Sequence, residues 1–162
     1  MLKWPNDLLV GIGSGWAKLG GILIEVVAGP EGVVTVIIGI GLNIRPVGDA
    51  SAIRQDTSCL AALGWVGSRN TVLAKVLEEL LGVLDAFEAG GFAPFAAAWN
   101  ARHAFRDRPV TLSGMEGGTV AGIARGVHPD GALALDTDAG PKRIVSGDVS
   151  LRLAPPSPDD SS

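Results

Sequence analysis

The 162-residue sequence contains one cysteine and two histidines. A single cysteine, Cys59, excludes an internal disulfide, and with only His103 and His128 beside it no zinc set can be assembled. Cys59 is expected to be a small buried apolar residue. Clusters of lysine and arginine are also lacking, and the formal net charge is −4. That balance argues against nucleic acid as a partner of this chain, because phosphate backbones are bound through concentrated positive charge. No apolar run approaches the length of a membrane span, and Met1 is not followed by a signal-peptide pattern, so the expectation is a cytoplasmic protein without a membrane partner. A Walker A lysine, a G-x-S-x-G elbow and a metal-ligand cluster are missing too. GIGSGW (Gly11–Trp16) and GIGLNI (Gly39–Ile44) begin as G-x-G, but their sixth residues are Trp16 and Ile44, and neither opens a helix within a βαβ unit.

What is present is apolar: 47% of residues are hydrophobic, enough for a substantial core. Three stretches read as strands, namely Leu8–Val10 with a polar lead-in, Leu19–Val27 and Val33–Ile44. The second and third are apolar at nearly every position, which predicts burial on both faces. Gly29-Pro30-Glu31-Gly32 between them predicts a hairpin. Ser58–Leu63 reads as one or two helical turns ended by Gly64. Leu73, Val76, Leu77, Leu80, Leu81, Leu84 and Phe87 recur at helical spacing up to Gly90-Gly91. Phe92, Phe95, Ala96, Trp99 and His103 repeat it in a further helix, where His103 is expected to be a satisfied core histidine. After Arg108-Pro109 come short runs (Val110–Leu112, Thr119–Val127, Ala132–Asp136, Arg143–Val145, Ser150–Leu153) separated by turn signals such as His128-Pro129-Asp130-Gly131, the pattern of a small SH3-like barrel. The tail APPSPDDSS is expected to be disordered.

In the strand Val33–Ile44, alternation places Val33, Thr35, Ile37, Gly39, Gly41 and Asn43 on one face. The other face, from Val34 to Ile44, is an apolar ridge that a helix would cover. Glycines at alternate strand positions suit the close approach of a ligand or of another backbone. Gly20-Gly21 repeats the theme in the preceding strand, and alternation puts Lys18 on the face of Gly20. A lysine beside a glycine floor can neutralise a carboxylate or a phosphate, and a carboxamide such as Asn43 can pair with the edge of adenine. The bland alternatives are a bulge or strand crossing at the glycines and a solvated lysine at a strand end.

KWPNDLL, KLGGILIE and VIIGIGLNI, in that order and spacing, resemble the catalytic domain of biotin protein ligases. The resemblance continues through QDTSCLAALG, the helical stretch to Phe105 and GDVSLR (Gly147–Arg152). It implies an α+β fold, with a mixed or antiparallel sheet carrying helices on one face (part of a class II synthetase-like ligase domain), followed by the SH3-like β-barrel. Residues 1–107 would be the C-terminal part of the catalytic domain, 108–153 the barrel and 154–162 a tail. The implied substrates and cofactors are ATP, biotin and Mg²⁺. The implied activity is formation of biotinyl-5′-AMP and transfer of biotin to a lysine of a biotin carboxyl carrier protein, an acetyl-CoA carboxylase or related carboxylase subunit. Lys18 corresponds to the lysine at the biotin carboxyl and activated phosphate, Asn43 to the reader of adenine, and Asp7 to the nucleotide and Mg²⁺ end. Arg152 corresponds to the barrel arginine at the adenylate, while Gly20, Gly21, Gly39 and Gly41 give clearance. Lys3 and Trp4 are expected to be structural, and Asp7 could instead cap the turn after Pro5-Asn6.

The family's domain begins well upstream of KWPND, with an arginine- and glycine-rich loop and most of the biotin pocket. The chain is therefore expected to be N-terminally incomplete. Three readings follow: an incomplete ligase, a non-catalytic nucleotide- or carrier-binding remnant, or a barrel that acts alone as an interaction domain. An exposed strand edge would also allow a homodimer.

Overall fold

The computed structural model describes residues 1–46, 56–115, 118–145 and 149–154. The expected tail falls largely on residues 155–162, and Gln55, Gly147 and Asp148 of the quoted motifs also lie outside the described residues. The described chain forms two antiparallel sheets and two α-helices. It gathers into two compact units: Met1–Leu2 with Asn6–Glu79, and Lys3–Pro5 with the chain from Leu80 onward.

The first sheet has strand order β1-β2-β3-β4, with β1 Leu2–Lys3, β2 Asp7–Ile12, β3 Gly15–Ala28 and β4 Val34–Leu42. The short β1 has no counterpart in the expected elements, since two residues carry no periodicity. It is held by pairing, with the Leu9 amide donating to the Met1 carbonyl at 2.9 Å. The hairpin between β3 and β4 forms as expected. Its turn is a short 3₁₀ segment, Pro30–Gly32, with Glu31 at φ 57° and Gly32 at φ 80°.

β2 pairs only with Gly15–Gly21 of β3. Beyond that point β3 and β4 continue as a two-stranded ribbon, Ile22–Ala28 against Val34–Ile40. The expected burial of these strands on both faces is not met there. Leu23 is 60% exposed, Ile24 58%, Val26 66% and Val36 53%, and cross-strand registers place Leu23 and Ile24 on opposite faces. The ridge on β4 that a helix would cover is open at Val34 and Val36 for the same reason: no second layer lies over it among the described residues.

A 3₁₀ turn at Ala61–Leu63 ends on Gly64 at φ 87°, later than the expected start at Ser58. Helix α1 (Arg69–Gly90) begins after Ser68, whose Oγ accepts from the Thr71 amide at 3.1 Å, an N-cap arrangement that satisfies one otherwise orphaned donor. Its apolar stripe is largely open, with Leu73, Leu77, Leu81 and Phe87 each at least half exposed. Helix α2 (Ala93–Ala101) starts with proline in its first turn, where the missing amide costs nothing.

The second sheet holds β5 Pro109–Met115, β6 Gly118–Val127, β7 Leu133–Thr137, β8 Gly140–Ile144 and β9 Ser150–Leu153, in the order β8-β7-β6-β5-β9. All five expected strands are present. Val110, Leu112, Ala124, Leu133, Leu135, Ile144 and Leu151 are buried at the centre of this unit. The side chain of Asn100 pairs with the backbone of Val127 as a strand would: Nδ2 donates to the carbonyl at 3.1 Å and Oδ1 accepts from the amide at 2.7 Å. His103 is buried as expected, against Trp99 at a ring separation of 4.8 Å, but neither ring nitrogen has a hydrogen-bond partner among the described residues.

Candidate functional site

A cavity of about 770 Å³ opens on the first sheet. Its floor is the glycine-rich part of β3 and β4. Antiparallel register sets Gly21 opposite Gly41 and Leu23 opposite Gly39, and directly opposed residues point to the same side. The floor therefore lacks side chains at three of these four positions, and the β4 face expected from alternation contributes Gly39, Gly41 and Asn43 to the cavity lining, beside Ile40 and Leu42.

Lys18 reaches this floor by an irregularity. Gly20 pairs with Leu8 and Lys18 with Leu9, so Leu19 has no residue opposite it and β3 bulges. The bulge shifts the alternation by one residue. Lys18 consequently shares a face with Gly21, and not with Gly20 as simple alternation predicts. Lys18 Nζ forms an ion pair with Asp7 Oδ1. A Cβ on Gly21 would stand in ordinary contact, 3.4 Å from Asp7 Oδ1 and 3.5 Å from Lys18 Cε, so Gly21 lies directly against this pair. Gly20 has a different duty. A side chain there would collide with the Gly41 carbonyl oxygen, so it is glycine because β4 passes close by. Gly39 and Gly41 have only ordinary contacts at their Cβ positions, and their clearance faces the cavity.

Asp7 is buried at 7% exposure while the Lys18 side chain remains 36% exposed. The carboxylate is thus the fixed partner, and the ammonium is the one that can turn toward a ligand. Asn43 lines the cavity next to Lys18, with its Nδ2 donating to the Lys18 carbonyl at 3.3 Å and to the Ser58 carbonyl at 3.1 Å. Its amide group ties β3, β4 and the following segment together. Pairing of both amide atoms with adenine would require those two bonds to be given up.

Two further residues line the cavity that composition and alternation do not point to, Asn6 and Thr57. Thr57 arrives because residues 56–58 run beside Lys18 as a parallel bridge. The Lys18 amide donates to Asp56 at 2.8 Å, and the Ser58 amide donates to Lys18 at 2.9 Å. The only signal in the sequence was the place of Thr57 in QDTSCLAALG; its neighbours read as a helix start. Arg152 belongs to the other unit, on β9 opposite Thr111, with an exposed side chain.

No group of three or more His, Cys, Asp or Glu residues able to hold a metal exists among the described residues. No helix among them is long and apolar enough to cross a membrane.

A glycine floor, a lysine leashed to a buried carboxylate and a five-stranded barrel unit invite comparison with known proteins. Residues 107–152 match the family described as the biotin protein ligase C terminal domain. The bifunctional ligase/repressor BirA of Escherichia coli is 36% identical over 155 residues, which is 94% of this chain. The chain matches the biotin protein ligases. The biotin–[acetyl-CoA-carboxylase] ligase of Paracoccus denitrificans is 33% identical across 91% of this chain. Among solved structures, the biotin protein ligase of Aquifex aeolicus in complex with biotin and ATP superposes with a TM-score of 0.76 at 28% identity. That match covers 94% of this chain and 62% of the Aquifex chain. The apo form of that ligase gives 0.77. The chain spans 46% of the length of the Escherichia coli ligase and 61% of the Paracoccus one.

Proposed function

We propose that this chain contributes the lysine-bearing side of the adenylating site of a biotin protein ligase, acting in the cytoplasm. In the reaction class at issue, the biotin carboxylate attacks the α-phosphorus of ATP and expels pyrophosphate. A lysine amine of a biotin carboxyl carrier protein then attacks the acyl carbon of biotinyl-5′-AMP, and AMP leaves. Both steps gather negative charge at oxygens around the phosphorus or the acyl centre, and a positioned ammonium stabilises that charge where it develops.

The observation that carries the reading is the Lys18–Asp7 pair set against Gly21 at the edge of a side-chain-free floor. Asp7 orients the ammonium before substrate arrives, so Lys18 need not be ordered during the reaction. Gly39, Gly41 and Gly21 let a flat or phosphorylated ligand rest on the backbone. Asn43 would accept from the adenine amino group through Oδ1, which leaves its two backbone bonds intact. Arg152 would add a bidentate phosphate contact, for which a guanidinium is better shaped than an ammonium. Gly20 supports this arrangement through β3–β4 packing and not through ligand contact. The described residues do not form a protein-held magnesium site, since Asp7 is a single carboxylate already paired with Lys18. Magnesium would come with the nucleotide's phosphates, as this ion commonly does.

In domain terms, residues 1–107 would serve the catalytic domain and 108–153 the barrel. The outer edge of β4 ends its sheet and is where a second copy could add a strand. A second reading, binding of nucleotide or carrier without transfer, is favoured by the ribbon beside the floor. With Leu23 and Ile24 open on opposite faces, these residues alone do not shield an anhydride from water.

Incubation of the chain with ATP, Mg²⁺, biotin and an apo carrier domain tests both. A carrier mass gain that falls about 10²- to 10³-fold in Lys18→Ala supports the ligase reading. Calorimetric binding of biotinyl-5′-AMP without any mass gain supports the binding reading. Absence of both refutes the site.

A further inference from the structure

The boundary between the two compact units falls inside KWPND. Lys3–Pro5 belong with the barrel unit, whereas Asn6 and Asp7 belong with the cavity sheet. Within the barrel unit Trp4 is 2% exposed, and its Nε1 donates to the Gly131 carbonyl at 3.1 Å. That carbonyl sits in a well-fixed turn. The Gly131 amide donates to His128 at 2.9 Å, and the His128 amide donates to Ala132 at 2.8 Å. Asp130 Oδ1 accepts from the Ala132 amide at 3.1 Å. Gly131 holds φ +86°, a conformation that strains any residue with a side chain, and a Cβ there would stand in ordinary contact with the Phe92 ring at 3.6 Å.

On the other side of Pro5 the chain enters the site at once. The Asn6 carbonyl accepts from the Ile22 amide at 2.9 Å, Asn6 lines the cavity, and Asp7 carries the ion pair with Lys18. Only Pro5 and Asn6 separate Trp4 from Asp7, and these three Cα-to-Cα steps reach at most about 11 Å. A side chain with large buried area and one directional hydrogen bond thus stands at one end of a short tether. The carboxylate that orients the candidate lysine stands at the other.

We propose that Trp4 is a positioning residue: anchored in the His128–Gly131 turn, it holds the Asn6–Asp7 edge of the cavity, and through Asp7 the orientation of Lys18. The ligand's name rests on the reading above; the coupling does not. The coupling runs along the covalent chain, and it separates Trp4 from a residue that only fills space.

Amide hydrogen exchange on the whole chain tests this in two variants that attack the same bond from opposite ends. Trp4→Phe keeps a buried ring and removes the donor. Gly131→Ala strains the turn that presents the acceptor and leaves Trp4 untouched. Exchange at Ile22 and Leu9 should rise about five- to tenfold in both, the effect of losing one hydrogen bond's worth of local stability. The Asn43 amide, which donates to Leu19 at 2.8 Å within β3–β4, is the internal control and should not change. A rise confined to residues 128–132, an equal rise at Asn43, or no change at Ile22 in either variant overturns the proposal. Calorimetry with biotinyl-5′-AMP is run in parallel, and Trp4→Phe should weaken binding by a similar factor. If the unsubstituted chain does not bind, the ligase site is refuted and exchange alone decides on the coupling.

Discussion

The two sheets are built from similar material and meet opposite fates. Both are antiparallel, and both contain strands rich in valine, isoleucine and leucine. In the barrel unit Val110, Leu112, Leu133 and Leu151 are fully buried, whereas Leu23, Ile24, Val26 and Val36 in the β3–β4 ribbon are more than half exposed. The difference is not in hydrophobicity but in layers. Five strands, together with α2, can turn one face onto a shared core. A ribbon that outruns its neighbour β2 after Gly21 has nothing to turn onto among the described residues. A two-stranded ribbon on its own is marginal in water.

The sharpest way to break this comparison is a matched pair of truncations. Leu135→Ala should cost about 3 kcal/mol through the cavity it leaves in the barrel core, read as a lower denaturation midpoint. Val26→Ala should stay within about 0.5 kcal/mol, as exposed positions do. Equal costs would mean that the ribbon is covered in solution.

A second prediction uses His103. Burial, then the nearby Arg106 charge, lowers its pKa from 6.5 to about 4, with Asp107 pulling weakly the other way. A histidine kept neutral in the fold binds fewer protons there than in the unfolded chain. Stability conferred by its burial is therefore complete above about pH 6.5 and is lost as pH falls toward 4. The loss should approach roughly 3 kcal/mol at the acid end. His103→Leu should flatten this part of the stability profile; an unchanged slope would place the acid sensitivity elsewhere.

Asn100→Ala comes next, at about 1–3 kcal/mol, because it leaves the buried amide of Val127 without its 2.7 Å acceptor. Restoration of the lost midpoint by Asn100→Asp but not by Asn100→Leu would show that the acceptor matters more than the volume. The smallest effect belongs to the surface. Arg125 is held by Asp136 and Asp107, which raise its pKa, yet its side chain remains about half exposed. Arg125→Ala should leave the denaturation midpoint unmoved at high salt, since exposed pairs are screened. A salt-independent loss would mark that network as part of the barrel's stability.

Much of this was legible beforehand. The five barrel strands, both long helices, the hairpin at Gly29–Gly32 and the clear face of β4 follow from turn residues and periodicity, which act over a few residues. The candidate site was legible as a set of residue types: a lysine, a carboxylate, an amide and paired glycines. Their arrangement was only partly so. Alternation put Lys18 with Gly20, and the bulge at Leu19 put it with Gly21. Thr57 was hidden because a parallel bridge to Lys18 leaves no local pattern. Trp4 read as packing, and its hydrogen bond to Gly131 spans 127 positions that no motif connects.

By itself, then, the order of the amino acids determined where most strands, helices and turns fall, that Cys59 is buried, and which residues are candidates for the chemistry. These depend on backbone preference and on the spacing of apolar side chains, and both are local. Only the tertiary structure decided which face Lys18 takes, that Gly20 serves the backbone while Gly21 lies against the ion pair, that the ribbon is bare among the described residues, and that Trp4 sides with the barrel. Each of these turns on what stands opposite a residue in space, and that is set by register and layer stacking between segments far apart in the chain.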